Sequence, residues 1–287
     1  MKITEVLNAG LTVSCELFPP KPETPFENVK KLVHEIALLK PSFMSVTYGA
    51  GGGNSSNTVQ IADEIQNGNR VTALAHLSCV TAGRDQIHRV LDELKARRIE
   101  NILALRGDLP AEGVFPAAGG YRYASELVED IRSYGDFCVG GACYPEGHPE
   151  SASLRQDIDN LKRKVDSGCQ FLTTQMFFDN HILYNFLFRL MQSGVHVPVI
   201  AGIMPVTNGR QIARICKLSG TELPPRFRAV VERFGDKPAA MNQAGVAYAT
   251  EQIIDLIANG VNHIHIYTMN KPDIAGRIMG NLSEIFR

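Results

Sequence analysis

The sequence predicts an α/β fold: a single (β/α)8 TIM barrel domain with extra helices before the last strand. Three observations carry this. Eight apolar runs of strand length recur along the 287 residues, and amphipathic helical stretches separate them. The runs are continuously apolar rather than alternating, as parallel strands covered by helices are. Eight units is also the count at which such a barrel closes, usually within about 250 residues.

The strands are expected at 13–18 (VSCELF), 43–48 (FMSVTY), 71–80 (VTALAHLSCV) and 101–108 (NILALRGD). Four more follow at 138–144 (CVGGACY), 171–178 (FLTTQMFF), 197–205 (VPVIAGIMP) and 261–269 (VNHIHIYTM). Between them, FENVKKLVHEIALL places apolar residues at 29, 32, 33, 36 and 39, the stripe of a helix with one buried face. RDQIHRVLDELKARR does the same at 87, 90, 91 and 94. Crossovers of this kind imply an all-parallel sheet. The longer gap at 207–258 holds three helical patches. An open doubly wound sheet is the competing fold, but it would carry its glycine fingerprint after the first strand. Here the first strand runs into ELFPPKPE, without glycine.

Composition narrows the function. A formal charge of −1 argues against a nucleic-acid partner, which needs a basic face. No apolar run reaches 18 residues and MKITEVLNAG is not a signal peptide, so no membrane partner and a cytoplasmic location are expected. Six cysteines, at 15, 79, 138, 143, 169 and 216, form no C-x-x-C pair and are expected as buried reduced thiols. The glycine-dense VTYGAGGGNSS matches neither phosphate-loop pattern: Asn54 stands where a third glycine is required, and no Gly-Lys-Ser/Thr follows.

In such barrels the chemistry sits at the C-terminal strand ends. That rule selects Glu16, Thr47, His76, Arg106 with Asp108, Tyr144 with His148, Gln175 and the 267–271 segment. Glu16 is a lone carboxylate in an apolar strand, where pairing with an Arg is the bland alternative. Gly107 lets the backbone beside Asp108 approach a ligand closely. Gln175 is an amide among apolar neighbours and needs hydrogen-bond partners, which a pterin or nicotinamide edge could supply. His263 and His265 alternate on one strand face with no carboxylate nearby, so a packed or water-bonded pair is expected rather than a metal site.

CELFPPK, VTYGAGG, LALRGDLP, YPEGHPE, LKRKVDSG, TTQMFFD, GIMP and YTMN occur in this order over nearly the whole chain. Together they resemble the flavin-dependent bacterial methylenetetrahydrofolate reductases. The resemblance implies a barrel holding non-covalent FAD, without the regulatory domain of the animal enzymes. It also implies reduction of 5,10-methylenetetrahydrofolate to 5-methyltetrahydrofolate by NADH or NADPH, in one-carbon and methionine metabolism. The two half-reactions would alternate at one site, in a homo-oligomer. Glu16 matches the family's acid, which helps open the folate's five-membered ring, and Asp108 matches the carboxylate that contacts flavin and pterin. Gln175, Gln211 and Lys271 match the folate-binding positions. Flavin contacts would be Thr47, Tyr48, His76, Arg106, Gly107, Asp108, Ala124, Tyr144, His148, Asp157, Asn160, Arg163 and Lys164. Of these, 157, 160 and 164 share one helix face and could line an extended ligand, although KRK alone reads as a solvated helix end. The glycines at 49–53 would bring backbone close to the flavin edge.

Two positions depart from the pattern. Lys271 stands where the family often has Arg, and Ile215 where some members place a phenylalanine over the substrate. Two other functions are weaker. A Schiff-base lyase needs a lysine inside a strand, and none is present; a flavin- or folate-binding subunit without turnover fits poorly with intact Glu16, Asp108 and Gln175.

Overall fold

The computed structural model describes residues 1–20, 23–48, 55–109 and 115–286. The glycine loop at 49–53 lies outside the described residues. Eight parallel strands pair in sequence order and β1 closes on β8. They are β1 (Thr12–Leu17), β2 (Met44–Val46), β3 (Ala73–Ser78), β4 (Asn101–Leu105), β5 (Cys138–Cys143), β6 (Phe171–Thr174), β7 (Val199–Ile203) and β8 (His263–Tyr267). The barrel expected from the apolar runs is therefore the fold observed. β1 equals its run in length but starts one residue earlier; the other seven ladders are shorter than their runs, because the apolar chain continues beyond the paired residues.

Along each strand alternate side chains take opposite faces. Val13, Cys15 and Leu17 face the helical shell, as do Ile264 and Ile266. Ser14 and Glu16 take the other face, toward the lumen, with His265 of β8 against them. The shell helices pack by the expected stripes. In α2 (Phe26–Ala37), Val29, Val33 and Ile36 are buried. In α4 (Arg84–Ala96), Ile87, Val90, Leu91 and Leu94 are buried. A wider π turn at Glu64–Gly68 follows α3 (Ser55–Asp63). The three patches before the last strand are the helices α8 (Gly209–Ser219), α9 (Pro225–Phe234) and α10 (Pro238–Ala258). The remaining shell is α5 (Ala124–Tyr134), α6 (Leu154–Asp166), α7 (Asn180–Gln192) and α11 (Pro272–Asn281).

One element is not visible in the sequence pattern. The short α1 (Ile3–Asn8) closes the N-terminal end of the barrel. Ile3, Val6 and Leu7 pack with Phe43, Leu74, Leu103, Cys138, Phe171 and Ile200. Buried aliphatic side chains contribute roughly 1.5–3 kcal/mol each. Asn101, fully buried, orients the plug: its Oδ1 accepts from the Ile3 N–H at 2.8 Å, and its Nδ2 donates to Ala73 O at 3.1 Å. The cysteines are all free; five are buried and Cys216 is half-buried. Burial pushes the thiols of Cys15, Cys79 and Cys169 up to about 12, so they stay protonated.

Candidate active site

Glu16 and Gln175 sit at the C-terminal ends of β1 and β6, and Asp108 lies just past the end of β4. Glu16 is the last lumen-facing residue of β1 and is 7% exposed. Its Oε2 lies 3.7 Å from His76 Nε2 and 4.0 Å from His265 Nε2, too far for direct hydrogen bonds. Burial pushes the carboxyl up to about 8 and both imidazoles down to about 3. At neutral pH the cluster is therefore a protonated acid between two neutral rings, not an ion pair. The neighbouring Leu17 packs into the shell, so the surroundings that keep Glu16 from water are those of the barrel lumen.

His265 is held at both nitrogens, Nδ1 by Ser14 Oγ at 2.7 Å and Nε2 by Ser45 Oγ at 3.0 Å. Ser14 Oγ donates to Ile264 O, so it accepts from Nδ1–H, and Ser45 donates to Nε2. The neutral ring satisfies all three contacts. His263 is bonded separately, to Thr12 Oγ1 at 3.1 Å. His76 differs: its buried Nε2 makes no hydrogen bond. An orphaned ring nitrogen at the strand ends fits a site completed by a ligand.

The β8–β1 corner fixes Glu16 from behind. Thr268 Oγ1 donates to Glu16 O at 2.6 Å. Asn270 brackets Phe18, its Oδ1 accepting from the Phe18 N–H at 2.9 Å and its Nδ2 donating to Phe18 O at 3.0 Å. Met269 and Asn270 both adopt left-handed backbone, φ 53° and 56°, to make this turn. The sequence marked 267–271 as a strand end and Lys271 as a folate position; it gave no sign of the Thr268 and Asn270 clamps. Tyr267 OH donates to Thr174 O.

The flavin-assigned residues lie on the β2–β6 side. Thr47 N–H donates to Leu17 O, and Tyr48 packs against the shell core. Arg106 makes a bidentate pair with Glu150, at 2.7 and 2.6 Å. Gly107 has φ 87°, and an added Cβ would strike Ser78 Oγ, so only glycine fits there. Asp108 is exposed at the rim. Burial and then the Asp108 charge push the Tyr144 phenol up. Burial, Glu16 and Tyr144 push Tyr267 well up. Asp108 thus lies near Tyr144, and Glu16 and Tyr144 lie near Tyr267, across the mouth. The Tyr144 and His148 rings meet edge-on at 4.7 Å. Ala124 opens α5.

On α6, Lys164 donates to Ala142 O at 2.7 Å, and burial pushes its pKa down. Asp157 accepts from Ser151 Oγ at 3.0 Å. Asn160 is exposed and accepts from Arg163 Nη2 at 2.8 Å, so these two pair with each other at the surface. Gln175 takes backbone from β5, its N–H donating to Cys143 O at 2.7 Å. Its side-chain oxygen accepts from the Met176 N–H at 2.9 Å, which leaves the amide's NH2 as a donor.

Beside the strand ends lies a cavity of about 280 Å³ lined by Gln211, Ile215, Met269 and Lys271, among others. Lys271 Nζ donates to Thr207 Oγ1 at 2.7 Å on its wall. Both departures from the family pattern, Ile215 and Lys271, therefore meet in this space. A larger cavity, about 360 Å³, opens in the helical shell beside Asp179, Glu251 and Asp255. Those carboxylates are already bonded to His181, Arg226 and Asn180 respectively, and no predicted site residue lines it.

The bound group implied by the resemblance can be tested against this geometry. Gly107 presents backbone with no side chain in front of it, Lys164 supplies positive charge, Arg106 adds a guanidinium that Glu150 holds in place, and His76 Nε2 and the Gln175 NH2 await partners. These residues fit a flavin with an anionic tail. Among the described residues no helix is long and apolar enough to cross a membrane.

The comparisons agree with the geometry. The family model described as "Methylenetetrahydrofolate reductase" matches residues 2–283. A 5,10-methylenetetrahydrofolate reductase of Pectobacterium carotovorum is 33% identical over 96% of this chain and 91% of its own length. Methylenetetrahydrofolate reductase (NADH) 1 of Arabidopsis thaliana is 35% identical over 99% of this chain; the chain spans 50% of that plant protein's length. Among solved structures, an uncharacterized Clostridium thermocellum protein that binds two copies of 5-methyl-5,6,7,8-tetrahydrofolic acid superposes over 100% of this chain and 99% of its own. Its TM-score is 0.68 at 13% identity, a likeness of fold alone. A chain matched from residue 2 to 283 by one family's model belongs to the methylenetetrahydrofolate reductase family.

Proposed function

We propose that this chain reduces 5,10-methylenetetrahydrofolate to 5-methyltetrahydrofolate with electrons from NADH or NADPH, using FAD. The observation that carries the reading is Glu16: a buried carboxyl pushed up to about 8, and so still protonated near neutral pH, among neutral histidines at the catalytic end of the barrel. An acid matched to the working pH is what opening the folate's five-membered ring requires. The exposed carboxylate of Asp108 stands at the same mouth and can stabilise the cation formed by that opening. Gln175 presents its NH2 group to the pterin and the nicotinamide in turn, and Gln211 and Lys271 hold the folate along the neighbouring cavity. Thr47, Tyr48, His76, Arg106, Gly107, Ala124, Tyr144, His148, Asp157, Asn160, Arg163 and Lys164 hold the cofactor. When bound, FAD supplies the two-electron chemistry that no side chain here can perform. The plant relatives named for NADH support that donor over NADPH. The reading also has one catalytic domain acting in the cytoplasm as a homo-oligomer.

The test begins with colour. Protein supplied with FAD should absorb at about 450 nm, as flavins do. It should bleach with NADH under anaerobic conditions and recolour when methylenetetrahydrofolate is added. A colourless protein unchanged by FAD overturns the reading; bleaching without recolouring reduces it to a flavin carrier.

A further inference from the structure

Helix α8 presents Gln211 and Ile215 to the cavity beside the strand ends, yet Ile212 is its one buried residue. Half-buried Ile215 and Cys216 add to its apolar seat, but most of the helix is exposed, so its position depends also on how its ends are tied. At the C-terminal end, Gly220 turns the chain with φ 71°, and an added Cβ would meet Pro149 Cγ at 3.2 Å. Thr221 Oγ1 then donates to Met176 O at 3.2 Å, and the Glu222 N–H donates to Glu146 Oε2 at 2.9 Å. Glu146 and Pro149 both belong to the loop after β5, which also carries Tyr144 and His148. The other carboxyl oxygen, Glu146 Oε1, is buried without a hydrogen-bond partner. Burial pushes this carboxyl up, while the Glu222 N–H works the other way. Desolvating a carboxyl for a single backbone N–H yields little net stability. Its effect lies in where it holds the chain.

We propose that Glu146 is a positioning residue for the folate half of the reaction. It ties the far end of α8 to the β5 loop and so sets how far Gln211 reaches into the cavity. The inference rests on the reading above that α8 lines the folate side. It makes the β5 loop the joint between the two halves: Glu150 grips Arg106 toward the flavin residues, and Glu146 grips α8.

Two variants test it. Glu146→Ala removes the acceptor, whereas Glu146→Gln keeps an oxygen for the Glu222 N–H. Loss of one such hydrogen bond should raise KM for methylenetetrahydrofolate roughly five- to tenfold in the Ala variant. Flavin reduction by NADH and affinity for FAD should stay near wild type, and α8 amides should exchange faster with deuterium. Glu146→Gln should restore both readings to within about twofold. If the Ala variant does not fold, Glu146→Asp, one methylene short, should show the same pattern. Unchanged exchange in α8 overturns the tether, and faster exchange without a rise in KM overturns its link to folate. Equal losses in both half-reactions overturn the proposal too. A wild-type protein without folate-dependent turnover sinks the underlying reading instead, and the exchange measurement still decides the tether.

Discussion

Replacing Glu16 by Gln should change how stability depends on pH, by an amount the site itself sets. The folded carboxyl ionises near 8 because burial disfavours its charge; in the unfolded chain it ionises near 4.5. A folded-state pKa above the unfolded one means the native state holds its proton longer. Stability is therefore complete below about pH 4.5 and falls as pH rises toward 8, where the carboxylate must exist inside the lumen. At roughly 1.4 kcal/mol for each tenfold change in proton binding, the full fall is about 5 kcal/mol. Glutamine keeps the shape of the protonated acid but cannot ionise. The difference in unfolding free energy between wild type and Glu16→Gln, from urea melts at pH 4.5 to 9, isolates this one group. It should grow with pH in favour of the variant and level off above 8. A flat difference curve would refute the claim that Glu16 is a neutral acid at working pH. The catalytic counterpart has the same sign. Glu16→Gln should retain flavin reduction by NADH and lose the folate half-reaction, while the wild-type folate step slows above about pH 8. Equal loss in both halves would mean the role assigned to Glu16 is wrong.

Gly107→Ala forces a Cβ into Ser78 at a left-handed position and should cost about 2–3 kcal/mol, seen as a lower Tm. Asn270→Ala removes both bonds to Phe18 and leaves a Cβ at φ 56°, so it should destabilise more than Asn270→Gly, which removes the bonds alone; a Gly variant as stable as wild type in thermal melts would deny the clamp. Lys164→Met should weaken FAD binding about tenfold in a fluorescence titration, with Tm unchanged or higher because a charge that burial disfavours is removed.

The barrel was legible because its strands are covered on both sides, which writes them as unbroken apolar runs. That same feature hid the strand ends. The run 171–178 continues through Met176, Phe177 and Phe178, which are buried without being in the ladder, so composition could not mark where β6 stops at Thr174. The plug α1 spans six residues, too short for a helical period to emerge. Glu16, Asp108 and Gln175 could be picked out as polar residues in apolar strand ends. The tether of His265 to Ser14 and Ser45 could not, since its partners lie about 250 and 220 positions away and the serines are unremarkable in sequence. Glu146 gave no signal beyond a turn-rich neighbourhood, because its partner is a backbone N–H that any residue at 222 would supply.

The plug at the N-terminal end has a consequence for traffic. With its floor filled by Ile3, Leu7, Phe43 and Phe171, the barrel offers no passage through that end. On the proposed function, a nicotinamide and a folate would therefore both arrive from the opposite end, and each should act as a competitive blocker of the other's entry.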